Sequence, residues 1–405
     1  MVERKEYLDQ LWAWKDEQQI KVVTGIRRCG KSVLLEQYQQ RLLENGVAPE
    51  QIISINFENL DFESLKDYRK LYQYLKDRLC VDKMTYIFLD EIQEVASFEK
   101  AVDSLYIQEG VDIYITGSNA YMLSSELATY LSGRYIEIKM LPLSFREYTI
   151  VTGLTKEESF AEFMKTGGIP YVAAMNRTDE KVNQYLEGIY NTVIIKDIEQ
   201  RQARREEDKV RRKITDITLL KTIARYLASV IGSSVSMKSI TDYLISSGRK
   251  VSQNTVSDYV AALTESFVFY SVERFDIVGK QLLKVNNKFY MADMGIRNHI
   301  LPRKRYDLGF TIENIVFLEL MRRGGQINIG KYGAAEVDFV VQKEGVLTYY
   351  QVTADMTAEE TFEREMRPLR CIQDNYEKIV LTLDRFSLGN YEGIKVVNVI
   401  DWLLK

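Results

Sequence analysis

Ile20-Lys21-Val22-Val23-Thr24-Gly25-Ile26-Arg27-Arg28-Cys29-Gly30-Lys31-Ser32 is the stretch on which the reading of this chain turns. Ile20 to Thr24 is a short strand-like run, and Gly25 to Ser32 satisfies G-x-x-x-x-G-K-[ST] at every fixed position. Glycines let consecutive backbone N–H groups curl around phosphate oxygens, and the helix that follows offers its positive end to the same anion. Nucleotide contacts are expected from Gly25, Ile26, Arg27, Arg28, Cys29, Gly30, Lys31, Ser32 and Val33. Lys31 would neutralise the β- and γ-phosphates, and the Ser32 hydroxyl would reach Mg2+. ATP and Mg2+ are therefore the expected ligands.

The flanking sequence supplies the context such a loop needs. Strand-like runs recur at 20–24, 51–57, 85–90, 111–116 and 135–140, separated by helical patterns at 31–43, 64–79, 98–108 and 119–131. That alternation predicts an α/β domain with a parallel sheet covered on both faces. The third run, Tyr86 to Leu89, ends in Asp90-Glu91, where carboxylates would emerge at the carboxyl end of a central strand. Asp90 is expected to hold Mg2+ through water, and Glu91 to polarise the attacking water as a base. The fourth run ends in Thr116-Gly117-Ser118-Asn119. Asn119 or Ser118 would orient water beside the γ-phosphate, or simply cap the next helix.

Composition narrows the rest. The 405 residues exceed one ordinary core and predict several domains. A single histidine excludes sites that need two imidazoles, and three scattered cysteines fit a reducing cytosol. A formal net charge of -4 gives no global attraction to nucleic acid, so any DNA contact must come from a local patch. The charged N-terminus lacks the apolar core of a secretory signal, and no apolar run is long enough to span a bilayer, so a cytoplasmic chain with no membrane partner is expected.

Taken in order, these pieces resemble the AAA-plus branch of P-loop ATPases. More closely, they are similar to a prokaryotic group in which the ATPase domain precedes a helical region and a C-terminal module. The resemblance is carried by Gly25 to Ser32, Leu89 to Gln93, Ile115 to Ser118, Leu131 to Tyr135, Leu141 to Glu147, Gly167 to Pro170, Tyr290 to Gly295 and Glu336 to Phe339. It implies ATP hydrolysis, with Arg134 at the position of an arginine finger that often acts on a neighbouring subunit; otherwise Arg134 is a surface residue beside Gly133. A homo-oligomer would follow from the finger role.

The remaining chain divides, on this reading, into an ATPase domain at 1–152, a helical lid at 153–215, a winged-helix-like domain at 216–297 and an α/β domain at 298–405. The charge run Glu199 to Lys213 reads as a solvated helix, or as a lid in which Arg201, Arg204 or Arg205 reaches nucleotide. Arg249, Lys250, Gln253 and Asn254 stand where a helix-turn-helix reads bases. The C-terminal segment resembles the PD-(D/E)xK nuclease core, with Glu313 and Asp338 matching its acidic positions. Gln351 and Thr353 replace the acid and the lysine of its last triplet, so cleavage is not expected and a docking role for DNA or a protein client is. Two functions stay open: ATP hydrolysis coupled to rearrangement of the C-terminal domains, and an ATP-switched DNA-binding regulator.

Overall fold

The computed structural model describes residues 2–117, 131, 133–176, 178–204, 216–301 and 308–405. The chain divides into two compact units, Met1–Pro142 with Glu265–Phe267, and Leu143–Thr264 with Val268–Lys405.

In the first unit the elements are α1 (Lys5–Ala13), β1 (Ile20–Thr24), α2 (Lys31–Glu44), β2 (Ile52–Asn56), α3 (Tyr68–Lys76), β3 (Thr85–Asp90), α4 (Phe98–Tyr106), β4 (Val111–Gly117) and β5 (Tyr135–Lys139). The strands form one parallel sheet in the order β2-β3-β4-β1-β5. β1 and β3 are buried at every position, as central strands of a sheet covered on both faces must be. Alternate side chains serve different layers. Val22, Ile87, Leu89, Ile113 and Ile115 share a core with Leu71, Leu75, Val102 and Leu105 of α3 and α4. On the other face Phe88 stacks on Tyr114 at 4.7 Å, and Tyr38 of α2 lies 5.1 Å from Tyr114. The helix expected at 64–79 is split into a 3-10 turn at Leu60–Leu65 and α3. Asp67 causes the break, because its side chain accepts the Arg69 and Lys70 N–H groups as an N-cap.

The second unit opens with α5 (Phe145–Thr152), α6 (Lys156–Thr166), α7 (Pro170–Ala174) and α8 (Asp179–Arg204). Next come α9 (Ile217–Ser229), β6 (Ser234–Val235), α10 (Met237–Ser246), α11 (Gln253–Glu265), β7 (Phe269–Asp276), β8 (Gln281–Met291) and α12 (Met294–Ile300). It closes with α13 (Leu308–Arg323), β9 (Gln326–Tyr332), β10 (Ala335–Lys343), β11 (Val346–Thr353), α14 (Glu359–Cys371), β12 (Glu377–Thr382), β13 (Gly389–Tyr391), β14 (Ile394–Asn398) and α15 (Val399–Leu403). One nine-stranded sheet runs β13-β14-β12-β11-β10-β9-β7-β8-β6. The hairpin of β7 and β8 joins the β9–β11 meander through parallel pairing of Arg274 with Ile329, Phe275 with Gly330 and Asp276 with Lys331.

Two separate motifs from the sequence prove to be halves of one joint. Asp293 accepts the Gly168 N–H at 2.6 Å through Oδ2 and caps α12 by accepting the Ile296 N–H at 3.0 Å through Oδ1. A Cβ on Gly167, whose φ is +73°, would lie 2.1 Å from Asp293 Oδ1, and one on Gly295 would lie 2.1 Å from the Thr166 carbonyl. Only glycine admits the approach. Burial pushes the Asp293 carboxyl up to about 6 against the pull of the N–H groups of Gly168, Ile296, Gly295 and Ile169.

Candidate functional site

Parallel pairing brings the carboxyl ends of β1, β2, β3 and β4 to one edge of the sheet, and the candidate site lies there. The loop after β1 turns sharply into α2. Gly25 (φ +150°) packs so closely on β5's continuation that a Cβ would stand 2.1 Å from the Met140 carbonyl oxygen. Gly30, left-handed at φ 105°, caps α2 from its N-terminal side. Ile26 and Cys29 are fully buried, Arg28 is exposed at φ 67°, and Arg27 pairs with Glu58 at 2.8 Å. Burial pushes the Cys29 thiol up, which leaves it a packing group and not a nucleophile. Val33 lies half-buried in the first turn of α2.

Lys31 is buried and folds back over the loop, donating to the Gly25 carbonyl at 3.2 Å and reaching the Ile26 carbonyl at 3.5 Å. Its Nζ is 4.0 Å from Glu91 Oε1. Asp90, at the end of β3, accepts from the Thr116 hydroxyl and from Asn56 Nδ2 at 2.8 Å. Burial raises the Asp90 carboxyl above its usual range, and the Thr116 and Ser32 hydroxyls oppose that rise. Glu91 has a left-handed backbone at φ 53°; its N–H donates to Thr116 Oγ1 at 2.9 Å and its Oε2 accepts from Gln93. Loop, ammonium and two carboxylates thus lie together at this edge of the sheet.

Other sequence-derived candidates fall elsewhere. Ser118 and Asn119 lie outside the described residues, as does Arg205 of the charge run, and no side-chain role follows for Arg201 or Arg204. Arg134 is not brought to the loop of its own chain. It stands at the amino end of β5, where its carbonyl accepts the Ile20 N–H at 2.8 Å, while the guanidinium pairs with Asp103 and sits 5.3 Å from the Tyr106 ring. Arg249 is tied to Asp216 at 2.9 Å.

Several contributors were given no role from sequence. Thr116 and Asn56 were visible only as polar strand ends. Arg4 braces the back of the loop: its buried guanidinium donates to the Cys29 carbonyl at 3.1 Å and to the Leu141 carbonyl at 2.8 Å. In the second unit Glu313 and Asp338 do come together, and Lys288 of β8 joins them with Nζ 3.2 Å from Glu313 Oε1. The one available signal was a lysine inside the otherwise apolar end of a strand.

Among the described residues no helix is long and apolar enough to cross a membrane. Residues 17–149 match the family model of an AAA domain, and residues 157–307 match a domain of unknown function. An uncharacterized protein of Haemophilus influenzae is 37% identical over 412 residues, spanning 100% of this chain and 99% of that protein. Another, from Methanocaldococcus jannaschii, is 28% identical over 410 residues, or 94% of this chain and 85% of its own. Among solved structures, a Walker-type ATPase of Pyrococcus abyssi overlaps at 16% identity with a TM-score of 0.48, covering 74% of this chain and 96% of that one. The Aeropyrum pernix ORC1 protein, solved in complex with DNA, overlaps at 14% identity with a TM-score of 0.28, covering 74% and 92%. Residues 17–149 are thus an AAA domain built on a phosphate-binding loop, and the chain as a whole belongs to the family of its full-length H. influenzae relative.

Proposed function

We propose that this chain is a slow, Mg2+-dependent ATPase whose nucleotide state changes the posture of C-terminal modules that dock DNA or a protein client. The carrying observation is the 4.0 Å approach of Lys31 Nζ to Glu91 beside the Gly25–Ser32 loop. One ammonium there touches both the cradle for phosphate and the carboxylate suited to take a proton from water. In this reading Lys31 leaves the loop carbonyls for β- and γ-phosphate oxygens, and the loop N–H groups hold the same phosphates. Mg2+, when bound, would offset phosphate charge. The donors at hand suit that ion, since the Ser32 hydroxyl and the Asp90 carboxylate are hard oxygens whose proximity lowers the Asp90 carboxyl against the rise from burial. Glu91 leaves Gln93 to orient the attacking water, while Thr116 fixes the backbone of Glu91 and the carboxylate of Asp90. Asn119 would assist at the γ-phosphate, and Arg134 would act on a neighbouring subunit's nucleotide in a homo-oligomer.

The C-terminal modules in this reading are the lid at 153–215, a winged helix at 216–297 and a nuclease-like domain at 298–405. The order α9, β6, α10, α11, β7, β8 and the antiparallel pairing of β8 with both β6 and β7 support the second of these. Three free cysteines fit a cytoplasmic setting.

Steady-state phosphate release tests the ATPase reading. Glu91→Gln should lower turnover about 100-fold or more while calorimetry still shows ATP binding, and Lys31→Ala should lose binding itself. Wild-type turnover in Glu91→Gln would remove Glu91 as the base. The rival reading, an ATP-switched DNA-binding regulator, is favoured by the exposed Lys250, Gln253 and Asn254 at the start of α11. It requires salt-dependent duplex binding that weakens in Arg249→Ala with Lys250→Ala.

A further inference from the structure

On the proposed nuclease-like reading of residues 298–405, a buried ammonium stands in the second unit where the metal would be held. Lys288 is 3% exposed, and its Nζ lies 3.2 Å from Glu313 Oε1, 2.9 Å from Glu336 Oε1 and 3.8 Å from Asp338 Oδ1. Carboxylates from α13 and β10 therefore converge on one cation. Each carboxylate has a further partner. Tyr290 Oη donates to Glu313 Oε1 at 2.6 Å, the Val352 N–H donates to Asp338 Oδ2 at 2.8 Å, and Arg274 reaches Glu336 Oε2 at 3.4 Å. Gln351, which replaces an acid in the nuclease pattern, donates to Glu365 at 3.0 Å. Among the described residues, no group of three His, Cys, Asp or Glu side chains is placed to hold a metal ion.

We propose that Lys288 is the resident cation of this pocket, standing in for a divalent metal, so that the C-terminal module binds no metal here and the pocket serves as a joint between β8 and the α/β core. The backbone delivers Lys288 from a strand paired on both sides, opposite Ser234 of β6 and Val272 of β7, so the side chain cannot swing away with its strand. Burial works against the ammonium, yet Glu313, Asp338 and Glu336 outweigh it and hold the group well above its ordinary range. It is accordingly a fixed charge and not a base. Burial, with the charge of Glu313 beside it, raises the Asp338 carboxyl. Three carboxylates, Glu313, Glu336 and Asp338, thus already share the two cations Lys288 and Arg274. A divalent ion would have to expel a tethered ammonium and win carboxylates already hydrogen-bonded elsewhere.

Full-length protein without nucleotide provides the test. Titration calorimetry with Mn2+ should give the same binding for wild type and Asp338→Asn. Lys288→Ala should melt about 5–10 °C lower than wild type, because it strands buried carboxylates. Saturating Mn2+ should restore about 2–5 °C of that loss, and adding Asp338→Asn to the same chain should abolish the gain. Lys288→Arg should remain as indifferent to Mn2+ as wild type. The proposal is overturned if wild-type Mn2+ binding falls on Asp338→Asn, if Lys288→Ala melts like wild type, or if Mn2+ fails to stabilise it. Should Lys288→Ala not fold, the comparison of wild type with Asp338→Asn decides alone.

Discussion

Thr116 shows how a motif residue given no role of its own from sequence can hold a site together. Its hydroxyl donates to Asp90 and accepts the Glu91 N–H, so a single side chain fixes two neighbouring acids. Thr116→Val keeps the shape and removes both bonds. Losing them costs about 1–3 kcal/mol of positioning, so ATP turnover should fall about tenfold to a hundredfold with nucleotide affinity little changed, and Thr116→Ser should recover it. An unchanged rate of phosphate release in Thr116→Val would show that Glu91 needs no such support. The Gly25–Ser32 loop and the Asp90-Glu91 strand end were legible from sequence as patterns, because each is a short contiguous motif flanked by an apolar strand. Thr116, Asn56 and Lys288 were not, because their contacts depend on which strands lie side by side, and a single sequence carries no register between distant strands.

At the scale of elements, the strands of the first unit were readable because each is a short apolar run bounded by polar residues. Helix ends were less so: Asp67 divides a continuous helical pattern through a local cap that periodicity does not register. β6, only two residues long, offered no pattern at all. The joint between Gly167-Gly168 and Asp293 was visible as two motifs but not as one object. Its energetics can be checked through pH. With its folded carboxyl at about 6 and an ordinary value of 3.8, Asp293 binds more proton in the folded than in the unfolded chain between those limits. Stability from this group therefore rises as pH falls through that window, by on the order of 2–3 kcal/mol. Urea unfolding of wild type against Asp293→Asn should show wild type gaining on the variant from pH 6 to pH 4, whatever their offset at pH 7. A loss over that interval would contradict a buried, upshifted carboxyl.

For the molecule as a whole, the position of Arg134 bears on assembly. It sits at the amino end of the sheet, while the phosphate-binding loop leaves the carboxyl end of β1, a five-residue strand about 16 Å long. A finger role is therefore closed to it within one chain and requires a second copy. Arg134→Ala and Lys31→Ala should each hydrolyse ATP poorly alone, and an equimolar mixture should recover about a quarter of the wild-type rate, since subunits that keep Lys31 then meet neighbours that keep Arg134. A mixture no more active than its parts would leave Arg134 as the partner of Asp103 alone.

The parallel stitch of β7 to β9 carries a consequence for how this protein can be divided. Cutting the polypeptide between residues 297 and 298 would tear a single sheet along that seam and leave a raw edge on each fragment. Precipitation, or invasion of one fragment by another, is the fate to expect of such pieces when the two halves are made apart.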